Sequence, residues 1–301
     1  MKRHDIKKNA GIKKRHCMKI YLDCYPCFLR QALSAARLAG GDAVQQREIV
    51  QQTLALLQGL KPGATPPEIA RKVHAMVRSH ISAADPYQEV KSAGTRAALA
   101  LYPRLKTVID ESVDPLGTAL RISIAGNIMD FGVADRHDDL WQTVERVLAQ
   151  PMAIDHEHRL RERLSEADHL LFLADNAGET VFDRLLIEVM PVPVIYAVKG
   201  SPTLNDATMQ DALDAGLEGV ARLVDNGSDA PGTILSLCSD AFVDLYRAAP
   251  LVIAKGQANY ETLSEAGPKV FCLLQVKCPV IAEDIGAPTG SVVIRQGQRA
   301  N

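Results

Sequence analysis

Long apolar runs are missing from this 301-residue chain: none reaches the roughly 18 residues that a membrane-spanning helix requires. A secretory leader is missing too, since the first residues are polar and basic with no apolar segment behind them. Cysteine is scarce, at six residues, which is too few for a scaffold stapled by disulfides. Together these absences predict a protein of a reducing cytoplasm, with no membrane partner. The loops that follow the predicted strands hold no Gly-x-Gly-x-x-Gly and no Walker phosphate loop, which argues against a dinucleotide enzyme or an ATPase. Internal repeats, low-complexity segments and long linkers are also absent.

What remains is ordinary globular composition, 47% hydrophobic and 23% charged, sufficient for one large core or two unequal domains. The net charge of -2 conceals an asymmetry. Of 34 Lys/Arg and 36 Asp/Glu, seven bases and one acid fall within "MKRHDIKKNAGIKKRH", so the remaining chain is near -8. A basic tail can grip nucleic acid or anionic lipid. The plainer reading is an upstream extension, residues 1–17, with the ordered chain opening at Met18-Lys19-Ile20-Tyr21. The acidic body speaks against a nucleic-acid partner.

From Cys24 to about Val113 the pattern is helical. "CFLRQALSAARLAG" sets Phe28, Ala32, Ala35 and Leu38 near one face and stops at Gly40-Gly41. "QREIVQQTLALLQGL" repeats this with Ile49, Leu54, Leu56 and Leu57, and "PPEIARKVHAMVRSHI" with Ile69, Val73 and Val77 behind prolines suited to a first turn. "DPYQEVKSAGTRAALALYPRL" supplies another helix. The grain changes at "ALRISIAGN". From there the short runs "RISIAG", "HLLFLAD", "VPVIYAVKG", "ARLVDNG", "PLVIAKG", "KVFCLLQ" and "SVVIRQ" alternate with amphipathic helices. Strands apolar on both faces and separated by helices predict a mostly parallel sheet covered on both sides. The expected architecture is α/β: an all-helical domain over residues 18–118 and a three-layer α/β/α, Rossmann-like catalytic domain over 119–301.

In such a sheet, ligands bind beyond the carboxyl ends of the strands. The loops there carry Asp175, Asn176, Gly178 and Glu179; Lys199, Gly200, Asn205 and Asp206; Asp225, Asn226, Gly227 and Ser228; and Lys255, Gly256, Gln257, Asn259 and Glu261. Asp175 and Asp206 fall on neighbouring loops, each just past a strand. Two carboxylates offset one divalent cation, and the Asn176 amide oxygen adds a neutral ligand. An oxygen-only set with open positions suits Mg²⁺ or Mn²⁺, whereas a zinc centre would call for histidine, absent from these loops. Gly178 permits a close turn into a helix whose amino end favours an anion, and Lys255 brings a positive charge. Together these describe a phosphate-ester site. A bound cation would polarise the phosphoryl group and supply the attacking water, Glu179 or Asp206 would orient that water or take its proton, and Lys255 with Asn259 would hold the phosphate.

Each element has an ordinary alternative. Asp-Asn-Ala-Gly is common turn chemistry, Asp206 can cap a helix, and Lys255-Gly256-Gln257 can be a plain strand-to-helix turn. The joint occurrence favours the site. Two other function classes stay open: a non-catalytic phosphometabolite-binding protein, and a transferase dependent on a nucleotide or on adenosylmethionine.

The stretches "YPCFLRQA", "DPYQEVK", "AGNIMDFG", "LADNAGE", "LNDATMQD", "DNGSDAPGT", "AKGQANYE" and "KCPVIAEDIGAPTGSVV" occur in order across nearly the whole chain from Met18. In this combination the sequence resembles the damage-control phosphatase family, also known as domain of unknown function 89, and within it the prokaryotic branch with an amino-terminal Cys-x-x-C. The resemblance implies a helical domain on an α/β/α domain and a divalent-metal phosphatase, with Mg²⁺ or Mn²⁺, or else Co²⁺ or Ni²⁺, acting on damaged or surplus phosphometabolites such as sugar phosphates. Carried over by position, it places metal ligands at Asp175, Asn176 and Asp206, an acidic residue at Glu179 and a substrate lysine at Lys255. It also assigns Asn127 and Asp130 of "GNIMDFG" to the pocket wall. A carboxyl methyltransferase activity has been proposed for one branch, and the chain shows no glycine-rich adenosylmethionine loop.

Cys24 and Cys27 are spaced as a redox pair or half a metal site. They also stand at the start of a helix whose apolar face would bury both, and packed thiols are the expected outcome. His156, His158 and His169, beside charged helices, are expected at the surface.

Overall fold

The computed structural model describes residues 18–60, 63–128 and 140–299. The basic segment 1–17 and Asp130 lie outside them. Six helices come first: α1 (Cys24–Leu38), α2 (Ala43–Gln58), α3 (Pro66–Ile81), α4 (Gln88–Asp110), α5 (Pro115–Ile128) and α6 (Leu140–Ala149). Local chemistry sets their starts. Asp42 accepts from the Val44 and Gln45 amides at 2.8 and 2.9 Å while the Gln45 side chain accepts from the Asp42 amide at 3.0 Å. Thr65 and Glu68 form the same reciprocal box at the head of α3, followed by Pro66 and Pro67. Phe28, Ala32, Ile49, Val73, Val77 and Tyr87 close a core among α1 to α3. Leu38 and Leu54, expected inside, are exposed, because each stands off the buried stripe of its helix.

A seven-stranded sheet follows. Its strands are β1 (Ile154–Asp155), β2 (Leu170–Leu173), β3 (Val194–Val198), β4 (Arg222–Asp225), β5 (Val252–Lys255), β6 (Val270–Gln275) and β7 (Val292–Gln296). The intervening helices are α7 (Glu157–Glu166), α8 (Thr180–Ile187), α9 (Met209–Asp214), α10 (Asp240–Ala248), α11 (Gly256–Leu263) and α12 (Pro279–Ile285). Strand order is β1-β7-β6-β5-β2-β3-β4. The five strands from β6 to β4 are mutually parallel, β7 runs antiparallel to β6, and β1 pairs with β7. Both faces are covered. Phe172, Tyr196, Ile253 and Phe271 pack toward α4, α5 and α8, whereas Leu171, Leu173, Val252 and Cys272 pack toward α10, α11 and α12. Burial on two faces is why these strands read as continuous apolar runs.

One expected strand is a helix. "RISIAG" lies inside α5, which is buried between α4, α6 and α8. A helix that is apolar all round has no polar stripe, so a short window of it cannot be told from a buried strand by period. Gly126 admits the close approach: a Cβ there would stand 2.9 Å from Phe182. The boundary expected at 118/119 falls within α5, and Ala98, Leu105 and Ile109 of α4 share one apolar core with the sheet. No described helix is long and apolar enough to cross a membrane.

Chain direction across the sheet reverses between β2 and β5. From β2 the chain proceeds outward through β3 to β4, then returns to β5 beside β2 and proceeds the other way. The loops leaving β2 and β5 therefore part at this point and leave a crevice. From the helical side, α3 reaches the loop after β4, where Arg71 and Arg78 both pair with Asp229.

Candidate active site

The loops after β2 and β3 are joined backbone to backbone. The Ala177 amide donates to the Asn205 carbonyl at 2.9 Å, and the Ala207 amide donates to the Asp175 carbonyl at 2.8 Å. Asn176 and Asp206 face each other across this short antiparallel bridge. Residues thirty positions apart are thereby neighbours, and Asp175, Asn176 and Asp206 meet as expected. All three are at least nine-tenths buried. Gly178 is buried in the turn that leads into α8. Across the crevice, Gly256 opens α11 at φ +78°, and a Cβ on it would lie 1.8 Å from Asp175 Oδ2. Only glycine leaves room for that carboxylate.

A polar network backs the carboxylates. Asn127, projecting from α5, donates through Nδ2 to Asp175 Oδ2 at 2.8 Å and to Glu179 Oε2 at 3.1 Å. The Asn176 amide nitrogen donates to the same two oxygens, each at 3.0 Å. Glu179 Oε1 accepts from Lys255 Nζ, which also donates to Asp183 Oδ1 at 2.6 Å and to the Ser123 carbonyl at 3.1 Å. Asp183 is held in turn by Ser123 Oγ at 2.7 Å and Tyr196 OH at 2.8 Å. On the other side of the crevice, Lys199 Nζ lies 3.4 Å from Asp206 Oδ2 and donates to the Gly232 carbonyl.

Two expected assignments change. Lys255 is fully buried, and its three donors go to Glu179, Asp183 and Ser123; it lies beneath the site as a counter-charge and has no N–H left for a phosphate. Asn259 is equally buried. It donates to the Ala174 and Lys255 carbonyls at 3.1 and 2.8 Å and accepts from Thr233 Oγ1 at 2.7 Å, so it ties the ends of β2 and β5 together. The cation beside Asp206 is Lys199, a strand-end lysine to which no role was assigned. Asp183 was missed as well. Its signal was its spacing: Glu179 and Asp183 are four residues apart, on one face of a helix start, and converge on a single lysine.

Burial shapes the electrostatics. It pushes the Asp175 carboxyl well above the usual range, and Glu179 and Asp206 push it further. Asp206 is raised to about 6 by burial, against the opposing pull of Lys199 and Lys91. Asp183 is likewise raised to about 6 by burial, opposed by Lys255. Burial works against the charge on Lys255, but Asp183 and Glu179 hold its pKa above the ordinary lysine value. Four buried carboxylates, Asp175, Glu179, Asp183 and Asp206, face two buried ammonium groups, Lys199 and Lys255. The formal excess is two negative charges, the complement of one divalent cation.

The donor chemistry fits such an ion. Thr203 Oγ1 and Asp206 Oδ2, in one loop, are buried and make no hydrogen bond among the described residues, although the Lys199 ammonium stands 3.4 Å from Asp206 Oδ2 as an ionic partner. An under-satisfied buried oxygen is costly, and a cation would relieve it. Among the described residues no group of three or more His, Cys, Asp or Glu side chains is gathered as a complete metal cage. The candidate set is accordingly two carboxylates and the oxygen of the Asn176 amide, whose nitrogen is already committed to Asp175 and Glu179. That leaves coordination positions for water and substrate.

Cys24 and Cys27 are half-buried free thiols whose pKa burial raises, the reverse of a reactive thiolate. His158 is exposed, whereas His156 is half-buried and accepts from the Gln296 amide at 3.0 Å.

The profile of the damage-control phosphatase ARMT1-like domain matches residues 20–293. The chain belongs to this family. Among its damage-control phosphatase relatives, one from Archaeoglobus fulgidus is 31% identical over 92% of this chain and 99% of its own length. Another, from Pyrococcus horikoshii, is 30% identical over 92% of this chain and 97% of its own. An uncharacterised protein of Methanocaldococcus jannaschii is 31% identical over 92% and 95%. The crystal structure of a domain-of-unknown-function-89 protein from Pyrococcus horikoshii superposes with a TM-score of 0.83 at 30% identity, covering 93% of this chain and all of that one. The sheet and helices described above are thus those of a damage-control phosphatase family member.

Proposed function

We propose that the chain is a divalent-cation-dependent phosphatase that hydrolyses the monoester of a small phosphorylated metabolite. The observation that carries this reading is the bridge between the β2 and β3 loops. It gathers Asp175, Asn176 and Asp206 at the crevice where strand order reverses, with two negative charges in excess. The names of the Archaeoglobus and Pyrococcus relatives support the phosphatase assignment.

Asp175, Asn176 and Asp206 would hold the cation, Mg²⁺ or Mn²⁺ by their oxygen donors. When bound, such an ion neutralises phosphoryl oxygens and makes a coordinated water more acidic. The chain's own residues do the rest. Lys199, with one hydrogen bond to Gly232 and an ionic contact to Asp206, retains donor capacity, and we assign to it the phosphate contact expected of Lys255. Glu179 receives hydrogen bonds on both oxygens, so its task is to fix the orientation of Asn176 and Asn127. Asp206 Oδ2 has only the longer ionic contact to Lys199 among the described residues and is the oxygen we assign to orient water or accept its proton. Sugar phosphates are the substrate class we favour.

The test is phosphate release from a panel of sugar and cofactor phosphates with Mg²⁺, Mn²⁺, Co²⁺ or Ni²⁺. Release is expected with cation and only background with chelator. At a cation concentration one hundred times Kd the folded state should gain about 2.7 kcal/mol, seen as a raised melting temperature. Cation-dependent stabilisation with no turnover on any ester would favour a binding protein. Stabilisation by adenosylmethionine instead would favour a methyltransferase. Chelator-insensitive release would contradict the metal.

A further inference from the structure

We propose that Lys91, in the "DPYQEVK" stretch at the start of α4, is a positioning residue for Asp206, through which the helical part of the chain sets the cation affinity of the site; this rests on the metal-site reading above.

Lys91 is buried to 1% exposure, although lysine is among the residues least often found fully inside. Its ammonium lies 2.9 Å from Asp85 Oδ2 and 2.7 Å from Asp211 Oδ2. Asp85 is anchored locally, where its Oδ1 accepts from the Tyr87 amide at 2.9 Å. Asp211 belongs to α9, on the other side of the contact. Its Oδ2 accepts from the Thr208 amide at 2.8 Å and the Thr208 hydroxyl at 2.6 Å. Thr208 is two residues from Asp206 and is bridged to Lys199, the lysine next to the Asp206 carboxylate. A continuous chain of charge-assisted contacts therefore runs from α4 through Asp211 and Thr208 to the loop that carries Asp206.

The same loop is held from its other end. Leu204, two residues before Asp206, has φ +47°, a left-handed conformation that leucine rarely adopts. Its side chain packs against the α1 to α3 core. A strained residue persists where its surroundings over-determine it, and such residues cluster at functional sites. Asp206 is thus bracketed by an apolar anchor and an ionic anchor, and both come from the helical part. An ordinary buried ion pair would account for Lys91 alone. It would not account for a convergence of two unrelated anchors on one ligand's immediate neighbours.

Partners that orient a metal ligand are worth about 10- to 100-fold in metal affinity. Mn²⁺ binding to the full chain, followed by the electron paramagnetic resonance signal of the free ion, reads this without turnover. Lys91→Met should raise the Mn²⁺ Kd by about 10- to 100-fold. Ile285→Ala, which opens a cavity between α12 and the sheet in an apolar cluster that does not hold Leu204, should lower the melting temperature and leave the Mn²⁺ affinity unchanged. If Lys91→Met fails to fold, Asp211→Asn keeps an acceptor for Thr208 while removing the ionic partner, and should weaken Mn²⁺ in the same direction. Wild-type binding with unchanged affinity in the folded Lys91→Met or Asp211→Asn protein overturns the positioning role and leaves the metal site standing. A wild-type chain that binds no Mn²⁺ overturns both.

Discussion

Lys255→Met should lose about 3–5 kcal/mol of folding stability, measured by urea denaturation with chelator present. The lysine has no exposed surface, and its removal strands Glu179 and Asp183 in an interior with no other ammonium within bonding distance among the described residues. Breaking one side of a buried ion pair leaves an uncompensated charge, and here it leaves two carboxylates facing each other. The loss should shrink in Lys255→Met/Asp183→Asn, which removes one of the stranded charges. A Lys255→Met protein of unchanged stability, with only a raised KM for the phosphate ester, would instead place this lysine on the substrate.

Asp175→Asn should do the opposite to stability and the worst to function. Phosphate release should fall by about 10³-fold or more, since the proposed cation would lose one of its two carboxylates. The cation-free protein should melt at a higher temperature than wild type at neutral pH. The sign follows from linkage. Burial, Glu179 and Asp206 raise the folded-state pKa of Asp175. A group with a raised folded pKa contributes stability that is complete in acid and lost as pH rises through that pKa. At neutral pH without a cation the ionised group is therefore a burden on the fold, and an amide removes it while keeping an acceptor for Asn127 and Asn176. The melting-temperature gain over wild type should vanish in acid, where both side chains are neutral. Lower stability in chelator at neutral pH would mean that the carboxylate is balanced by the protein alone.

These two residues also show how far the sequence could be read. The strand ends near Asp175 and Lys255, and the loop after β3 that carries Asp206, were legible because each apolar run stops at a polar, glycine-bearing loop, and parallel strands put such loops on one edge. The bridge from Asn176 to Asp206 was implied only loosely, by the adjacency of consecutive strands. That β5 returns to lie beside β2 could not be read from spacing, and this return is what places Lys255 under Glu179 and Asp183 rather than in the crevice. The helix α5 was misread because it is apolar on every side, yet it supplies Asn127 and the Ser123 carbonyl, so the floor of the site depends on the element whose period was least informative. Lys91 was visible only as part of a motif. Its partner Asp211 is 120 positions away and belongs to a helix of six residues.

The decisive measurement is an anomalous difference map from crystals soaked in Mn²⁺. A single strong peak is expected within coordination distance of the Asp175 and Asp206 carboxylates and on the side of Asn176, at the crevice between β2 and β5. A map with no peak there, or with its only peak bound elsewhere on the chain, would contradict the proposed cation site.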